Sequence, residues 1–376
     1  MSSTNTTTGT HRRIQQRMPP VENIMLSGGG IFGLCYSGVF RYMEEQGIRA
    51  GIRRVLGVSV GSIFGFLFCL KIPAEHIHRL VDQFGPDDIK DFDTEHILHF
   101  FEHFGLDTGV KIERFIKACA KVKLGNPDAT FADLYAIHPD MEYIVMGAEI
   151  TECSRKYFSY KTTPDYPIWR AVRISCSIPL YFRPVIENDK IYVDGAVVCN
   201  YPIDYFRDDL DHTLGFKFEE YIPDSTTATS STSSEDISAT TVTTTHNIDF
   251  YKYFTHLFET MVYSFERYMA THYDDYTVRI RVPKRVMYDY ALPVDTKQRY
   301  YTAGYNDMRD KWIARCKKYT LDDDDDNGDR DDRDNGDRDD RGNGDRDDRD
   351  DTGCGDVINL SDDDIDIESI TQSLRE

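Results

Sequence analysis

The sequence VENIMLSGGGIFGLCYSGVFRYMEEQGIRAGIRRVLGVSVGSIFGFLFCL, residues 21–70, repeats one structural pattern twice. In each repeat a short apolar run, predicted to be a strand, leads through a glycine-containing turn into a helical pattern. Strand, turn and helix in succession are typical of a parallel sheet covered by helices, and they predict an α/β fold. The predicted elements are strands Val21–Ser27 and Arg53–Gly57 and helices Gly33–Gln46 and Gly61–Leu70.

The later sequence continues this alternation. Residues 75–125 are mostly helical in pattern, and we expect them to cap one end of the sheet. Further strands are predicted at Met141–Glu149, Arg155–Ser159, Lys190–Val193, Thr213–Phe218 and Tyr276–Val282, and further helices at Pro167–Ser175, Phe250–His272 and Lys297–Tyr319. The helix Phe250–His272 carries an apolar stripe that predicts a core-facing side, consisting of Tyr253, Leu257, Met261, Phe265 and Met269.

Composition divides the chain into a folded body and low-complexity segments. The Ser/Thr-rich residues 1–20 predict a disordered leader. Residues 223–247, nearly all Ser, Thr and Ala, predict a flexible insertion, because such a segment cannot build a core. An Asp/Arg/Asn/Gly repeat dominates the acidic tail at 321–376. The predicted folded core is therefore 21–222, completed by residues 248–320.

The formal net charge of −21 is concentrated in the tail. From Asp322 onward the chain has 24 acidic and 7 basic residues, so the preceding residues are close to neutral. A chain without a basic stripe does not suit nucleic acid, because phosphate contacts require clustered Lys and Arg. Apolar residues among the acids near the C-terminus indicate instead a short peptide that binds a protein partner.

The sequence contains no recognisable targeting or membrane-spanning segment. Residues 1–20 lack the apolar stretch of a signal peptide, and no run of 18 apolar residues occurs. The eight cysteines form no CxxC pair, so no metal site is predicted. We therefore expect a protein of the cytoplasm or of the surface of intracellular membranes. Low-complexity segments of this kind suit a large DNA virus or a protist.

Three adjacent glycines follow the first predicted strand, in the segment Ser27-Gly28-Gly29-Gly30-Ile31-Phe32-Gly33. They allow the backbone to approach a ligand closely, and the helix behind them presents unpaired N–H groups. Gly28, Gly30 and Gly33 also match the dinucleotide fingerprint GxGxxG. That fingerprint requires an acidic residue at the end of a second strand about 20 residues later, which this chain lacks. The turn therefore favours an anion-stabilising loop over a nicotinamide or flavin site.

The second predicted strand leads into Gly57-Val58-Ser59-Val60-Gly61, a GxSxG pattern between a strand and a helix. In this arrangement, the nucleophile elbow, small flanking residues permit a cramped turn that exposes a serine hydroxyl. The helix that begins near Gly61 adds positive potential for an anionic intermediate. Ser59 is therefore the predicted nucleophile.

A carboxylate at the end of a later strand is the candidate base. The segment Tyr192-Val193-Asp194-Gly195-Ala196 places Asp194 at the strand end, and Gly195 leaves access behind it. It lies between SCSIPLYFRP at 175–184 and Asn200-Tyr201-Pro202. A serine hydroxyl is a weak nucleophile that needs an adjacent base. Asp194 can serve as that base, because burial raises the pKa of a carboxylate toward the working pH.

These motifs, in this order, resemble the patatin-like phospholipase family over roughly Val21–Tyr205. The resemblance implies a three-layer α/β/α hydrolase with a mostly parallel central sheet, acting on phospholipids or other acyl lipids at most peripherally to a membrane. It implies a Ser59–Asp194 dyad without histidine, metal or cofactor. The implied oxyanion hole consists of Gly28, Gly29, Gly30, Ile31, Phe32 and Gly33. Phe32 is a departure, because the family often has Arg or Lys there.

The residues leave two alternative functions open. A Ser–His–Asp esterase needs a histidine after Asp194, and the candidates are His212, His246, His256 and His272, with His212 the best placed. A catalytically degenerate module that binds lipid or protein is the other, although a binder has no chemical need for the serine, the aspartate and the glycines together. The choice of lipid depends on a groove beside the serine, which residues 75–125 are expected to shape.

Overall fold

A computed structural model describes residues 18–83, 91, 98–221, 250–284, 292–325 and 370. Pro19–Ile313 form one compact unit together with Asp366–Glu376, and this unit contains the sheet and the candidate site. A second unit comprises Met1–Met18 and Ala314–Ile365, of which Met18 and the last turns of one helix are described. The predicted leader and acidic tail lie largely, and the Ser/Thr-rich insertion wholly, outside the described residues.

Each predicted strand and helix is confirmed within a few residues. The strands are β1 (Asn23–Leu26), β2 (Arg54–Val58), β3 (Gly105–Asp107), β4 (Glu142–Glu149), β5 (Ser154–Phe158), β6 (Leu180–Phe182), β7 (Val185–Glu187), β8 (Lys190–Asp194), β9 (Thr213–Tyr221) and β10 (Thr277–Pro283). The helices are α1 (Cys35–Glu45), α2 (Val60–Cys69), α3 (Ala74–Gln83), α4 (Phe100–His103), α5 (Val110–Leu124), α6 (Phe131–Ile137), α7 (Ile168–Ser175), α8 (Ala196–Cys199), α9 (Phe250–His272) and α10 (Val294–Asp325). Short 3-10 turns occur at Gly30–Leu34, Arg49–Gly51, Ile203–His212 and Asp274–Tyr276.

The main sheet has the order β10–β9–β1–β2–β4–β8–β7, with β5 also paired to β4. The pairings from β10 to β4 are parallel, whereas those of β5, β7 and β8 are antiparallel. With its covering helices this is the mostly parallel, three-layer α/β/α architecture predicted from the sequence. Strands β3 and β6 form a separate two-stranded sheet, which was not predicted.

Two strands meet end to end along one edge of β4. Strand β2 runs parallel to β4 and ends with Val58 opposite Met146. Strand β8 runs antiparallel and ends with Asp194 opposite Gly147. Because β5 pairs with Val145–Glu149 and so occupies the other edge, β2 and β8 must share the same edge. The chain leaving β2 therefore meets the end of β8.

Helix α9 turns only part of its predicted apolar stripe to the core, because Met269 of that stripe is buried whereas its first two residues are exposed. Tyr253 and Leu257 of the predicted stripe are 59% and 45% exposed, so this part of the prediction is wrong. The described side chains that α9 buries are Phe258, Val262, Glu266 and Met269. Apolar and aromatic residues surround most of this helix, and periodicity alone does not determine its rotation. The observed rotation places a glutamate, Glu266, in the buried face.

Candidate active site

Ser59 occupies a sharp turn between β2 and α2. Its backbone has φ 52° and ψ −127°. Residues with a side chain rarely adopt this conformation, which typically costs about 1–3 kcal/mol. Ser59 is also the N-cap of α2, so it stands at a helix start whose first N–H groups have no intrahelical acceptor. This is the backbone geometry expected of a nucleophile elbow.

Close backbone contacts explain the glycines on either side of Ser59. A Cβ on Gly57 would lie 2.5 Å from the Gly61 carbonyl oxygen and from the Ser62 Cα. A Cβ on Gly61 would lie 2.2 Å from the Leu26 carbonyl oxygen. Strand and helix therefore pack backbone against backbone at this turn, and side chains larger than hydrogen do not fit there.

Ser175, the last residue of α7, holds the strained turn in place. The Ser59 N–H donates to Ser175 Oγ at 2.8 Å, and the Ser175 hydroxyl donates to the Met146 carbonyl oxygen at 2.7 Å. On the other side, the Ser62 hydroxyl donates to the Ser59 carbonyl oxygen at 2.6 Å. The three serines are buried, so these hydrogen bonds are shielded from water. Together they tie the turn to β4.

Asp194, the last residue of β8, is fully buried beside this turn. Its Oδ1 accepts a hydrogen bond from the Ala196 N–H at 2.8 Å, and its own N–H donates to the Ser177 carbonyl oxygen at 2.8 Å. Burial raises the pKa of Asp194 to about 7, although the Ala196 N–H and the Ser59 hydroxyl act to lower it. A carboxyl group with this pKa is partly ionised at neutral pH, as a general base must be.

Ser59 and Asp194 are neighbours in space although they are far apart in the chain. They line the same cavity, and the Ser59 hydroxyl is close enough to affect the pKa of Asp194. A Cβ on Gly195 would lie 2.5 Å from the Met146 carbonyl oxygen and 3.1 Å from the Val58 Cγ1. A glycine after Asp194 therefore allows the end of β8 to pack tightly against the end of β2.

The glycine turn Gly28–Gly30 forms another wall of this cavity. Gly29 is extended, Gly30 has φ 53°, and the chain then enters the first 3-10 turn. Within the described part of the chain, the N–H groups of Gly29, Gly30 and Ile31 have no acceptor, as expected at the start of a helix. These groups are available to an anion beside Ser59.

Phe32 and Gly33, which also belong to the predicted oxyanion hole, have different contacts. The Phe32 N–H donates to the Gly29 carbonyl oxygen at 3.1 Å, so that donor is already used within the turn and its assignment to the hole is corrected. A Cβ on Gly33 would lie 2.3 Å from Val60 Cγ2, which makes Gly33 a packing position against α2. The Phe32 ring is buried against Phe218 and Tyr300.

An apolar cavity opens from Ser59 between α2, α3 and α5. It encloses about 900 Å³, including the part open to solvent. Residues 75–125 supply two of its walls, which confirms that this segment shapes the groove beside the serine. Among the described residues that line it, Lys111 is the one that carries a charge. The apolar lining includes Ile63, Phe64, Leu67, Leu80, Val81, Ile112, Phe115, Ile178 and Phe182.

A second, smaller cavity also opens on Ser59 and has a polar wall made by Asp194, Asn200 and Glu266. Asn200 Nδ2 donates to the Gly28 carbonyl oxygen at 3.2 Å and to Glu266 Oε2 at 3.0 Å. The Lys217 Nζ lies 3.6 Å from the Glu266 Oε1. Burial raises the pKa of Glu266, while Lys217 and Asn200 act to lower it. Glu266 and Lys217 were not predicted as site residues, because nothing in their local sequence indicates that they meet.

Arg173 is a further buried residue near the site, and its local sequence did not predict this position. Its guanidinium donates to the carbonyl oxygens of Thr108 and Arg183 at 2.8 Å each, and to the Ser177 hydroxyl. The Ser177 carbonyl oxygen in turn accepts the N–H of Asp194. Arg173 therefore links three chain segments and supports the loop that holds the candidate base.

The alternative base His212 lies at the opposite end of the sheet from Ser59. It precedes β9, whose first residue pairs with the first residue of β1. Ser59 instead follows the carboxyl end of β2, which runs parallel to β1. The length of β2, five residues or about 16 Å, therefore separates His212 from Ser59 along the strand direction. His212 contacts Asp209, with Nδ1 2.7 Å from Oδ1.

The other candidate histidines do not complete a triad either. His246 lies outside the described residues. His256 and His272 are exposed on α9, where they contact Glu259 and the Tyr268 carbonyl oxygen. Among the described residues, no histidine lines the cavity that contains Ser59 and Asp194. The geometry therefore favours the two-residue arrangement.

Comparison with known proteins shows which family and which proteins this chain is similar to. Residues 24–207 match the family model described as patatin-like phospholipase. An uncharacterised protein of Acanthamoeba polyphaga mimivirus, R571, is 28% identical over 202 residues, which are 54% of this chain and 66% of the relative. The probable lipid hydrolase 463L of Invertebrate iridescent virus 6 is 27% identical over 186 residues, 49% of this chain and 62% of the relative. The chain thus spans less than two thirds of either relative, and both are viral proteins.

A solved structure shows the same fold. The crystal structure of VipD from Legionella pneumophila aligns with a TM-score of 0.57 at 14% identity, covering 79% of this chain and 67% of VipD. The order of the motifs, the sheet topology and the family match point to one conclusion. Through residues 24–207, the chain is similar to the patatin-like phospholipase family in sequence and in fold.

Proposed function

We propose that the protein is a lipid acyl hydrolase of the phospholipase A type, in which Ser59 attacks an acyl ester and Asp194 is the general base. The observation that carries this proposal is the meeting of a strained serine and a buried carboxyl group of pKa about 7, with an apolar cavity that opens from the serine. The similarity to this family and the naming of one relative as a probable lipid hydrolase support the same activity.

The chemistry follows from the contacts. Ionised Asp194 takes the proton of the Ser59 hydroxyl as the oxygen attacks the ester carbonyl. The N–H groups of Gly29, Gly30 and Ile31, with the amino end of α2, stabilise the oxyanion that forms. Losing one such donor typically lowers the rate by about 10²–10³. The leaving alcohol takes the proton from Asp194, and water then hydrolyses the acyl-enzyme.

The apolar cavity suits an acyl chain. Its lining is almost wholly aliphatic and aromatic, so it excludes water from a bound hydrocarbon and favours lipid esters over polar ones. None of the described helices combines the length and the apolar composition that crossing a bilayer requires. We propose that the enzyme meets its lipid at a membrane surface.

A serine-directed fluorophosphonate probe tests the proposal. We expect labelling of the wild type and of His212→Ala, and none of Ser59→Ala or Asp194→Asn. His212→Ala is the matched control, because that residue is the alternative base. Loss of labelling in His212→Ala alone would support the triad, and absence of labelling in the wild type would support a binding module. Mass spectrometry of the products from mixed phospholipid vesicles then identifies the ester bond that is cleaved.

A further inference from the structure

The side-chain amide of Asn200 has one orientation behind the glycine turn. Its Nδ2 donates to the Gly28 carbonyl oxygen and to Glu266 Oε2. A backbone carbonyl oxygen can only accept a hydrogen bond, so the NH₂ group must face Gly28 and Oδ1 must point elsewhere. Glu266 is itself held by Lys217 from β9. The orientation of the amide is thus determined by its partners on two other elements.

The Oδ1 of Asn200 lies beside Ser59. A Cβ built on Gly28 would lie 2.5 Å from this oxygen and 2.9 Å from Ser59 Cβ, so both groups border one small space. Asn200 is only 6% exposed, and its Oδ1 has no hydrogen-bond partner among the described residues. A buried acceptor without a donor is unfavourable, and this one indicates a ligand that brings a donor.

Asp194 presents a second acceptor in the same cavity. Its Oδ1 is occupied by the Ala196 N–H, whereas its Oδ2 is buried and has no hydrogen-bond partner of good geometry in the described chain. The cavity offers about 30 Å³ for the centre of a water molecule, and one water needs roughly 10–15 Å³. Water carries two donors, which matches two acceptors in so small a space.

We propose that Asn200 Oδ1 and Asp194 Oδ2 together bind the water that hydrolyses the acyl-enzyme. This inference rests on the proposed acylation of Ser59. While Ser59 carries its own proton, it is the donor near Asp194. Once its oxygen is esterified, that donor is gone and water takes its place. Asn200 is then a deacylation residue, and Glu266 is a positioning residue that acts through it.

The proposed deacylation step returns each transferred proton to a named group. Water donates one hydrogen to Asn200 Oδ1 and the other to Asp194 Oδ2. Its oxygen attacks the ester carbonyl carbon as that second proton moves to Asp194, and the oxyanion forms beside the glycine N–H groups. The bond between the acyl carbon and Ser59 Oγ then breaks, and Asp194 returns the proton to Oγ. A free fatty acid leaves, and both residues regain their starting state.

Asn200→Ala tests the role of Oδ1 in the full-length protein. With a p-nitrophenyl acyl ester, the burst rate reports acylation and the steady rate reports deacylation. We expect acylation within about fivefold of wild type and deacylation at least about tenfold slower, as for the loss of one buried hydrogen bond. The acylated form should then accumulate, visible by intact-mass spectrometry on Ser59. Hydroxylamine, a stronger nucleophile, should restore turnover.

Substitutions of Glu266 provide a second test if Asn200→Ala does not fold. Glu266→Gln keeps an acceptor for the Asn200 amide, so deacylation should stay within about threefold of wild type. Glu266→Leu removes the acceptor and should slow deacylation as Asn200→Ala does. Glu259→Leu is the matched control, because Glu259 lies two turns earlier on α9 and does not line the cavity. It should leave the ratio of the two rates unchanged.

The outcomes separate this inference from the function on which it rests. A wild type that forms no adduct on Ser59 overturns both. If the wild type forms the adduct while acylation and deacylation both slow by the same factor in Asn200→Ala and Glu266→Leu, these residues support the glycine turn, and only the proposed water site is overturned. Unchanged rates in both variants overturn it as well.

Discussion

The backbone N–H of Ser59 is hydrogen-bonded to the side chain of Ser175, which comes from a helix 116 residues later in the chain. This contact stabilises a positive-φ conformation that Ser59 would not adopt by itself. The elbow is therefore not a property of its five residues alone. It depends on α7 being docked against β4.

Replacing Ser175 with Ala should lower both stability and activity. The substitution removes the acceptor of the buried Ser59 N–H, which costs about 1–3 kcal/mol in the free energy of unfolding. The rate of Ser59 labelling, measured on folded protein, should fall because the serine is less well placed. Ser159→Ala is the control, since Ser159 is buried and hydrogen-bonded away from the elbow. Full labelling of Ser175→Ala would contradict the role given to this contact.

The labelling rate should depend on the ionisation of Asp194. Because burial raises its pKa to about 7, the base is protonated and unable to accept a proton at pH 5, and it is ionised at pH 9. The fluorophosphonate rate should therefore rise about tenfold per pH unit below pH 7 and level off above it. Labelling reactions quenched at timed intervals between pH 5 and 9 give the rate at each pH and check this. A midpoint near pH 4 would mean that Asp194 is not the base or is not desolvated.

The buried carboxyl group should also make the native state less stable as the pH rises. Both folded and unfolded forms bind the proton below about pH 4, so there is no penalty there. Between pH 4 and 7 only the unfolded form loses it, and the native state is destabilised by up to about 4 kcal/mol above pH 7. Asp194→Asn cannot ionise, so it should be inactive yet more stable than wild type at pH 8, with a smaller difference at pH 5. Urea denaturation at the two pH values measures this.

Asp209 is a control for which the opposite dependence of stability on pH is expected. Although desolvation acts to raise its pKa, hydrogen bonds from Asn23 and His212 lower it overall. Its ionised form therefore stabilises the native state above the ordinary carboxyl pKa, and this contribution is lost as the pH falls. Asp209→Asn should destabilise the protein at pH 8. Stabilisation by both substitutions would show that charge reduction in general, rather than burial of Asp194, is responsible.

Gly28→Ala should abolish activity with a modest effect on folding. Its Cβ would collide with Asn200 Oδ1 and Ser59 Cβ, two groups that are held by other contacts and cannot both move aside. We expect the labelling rate to fall by at least about 10², the effect of misplacing an oxyanion donor. Gly47→Ala is the control, since a Cβ there meets no atom within 4 Å. It should cost about 1 kcal/mol, because Gly47 has φ 70°, and leave labelling intact.

Leu67→Trp should shorten the acyl chain that the enzyme accepts. Leu67 lies on α2, eight residues after Ser59, which is about 12 Å along the helix, and its side chain lines the apolar cavity. A larger ring there fills the cavity and should lower kcat/KM for palmitoyl esters by at least about tenfold, while butyryl esters react normally. Ile137→Trp, at an exposed position, should alter neither. Equal losses for both esters would indicate overpacking of the core instead.

The parts of the site that could be predicted are those in which sequence neighbours are also neighbours in space. The elbow and the glycine turn each lie within about seven residues, and their glycines are needed for contacts at the turns themselves. The strand and helix patterns were recognisable for the same reason, since each depends on periodicity over a short window. Strands β3 and β6 have three residues each, too few to show an alternation.

The remaining features depend on contacts between distant residues. Nothing near Glu266 indicates that Lys217 and Asn200 will meet it. Among the described side chains, the apolar stripe of α9 predicted the buried face correctly only at Met269. Arg173 shows no local sign of its role, because two of its acceptors, in Thr108 and Arg183, are carbonyl oxygens that any residue would supply. The hydrogen bond from the Phe32 N–H to the Gly29 carbonyl oxygen could not be predicted either, since it depends on the exact conformation of the turn.

The head-on approach of β2 and β8 also has a consequence for biosynthesis. The serine leaves the ribosome 135 residues before the aspartate, which at about 5–20 residues per second is a delay of about 7–27 seconds. Throughout that interval the nascent chain has a nucleophile with no base. Under the proposed mechanism, a chain truncated before Asp194 has no hydrolytic activity, because that activity arises only when β8 inserts beside β4.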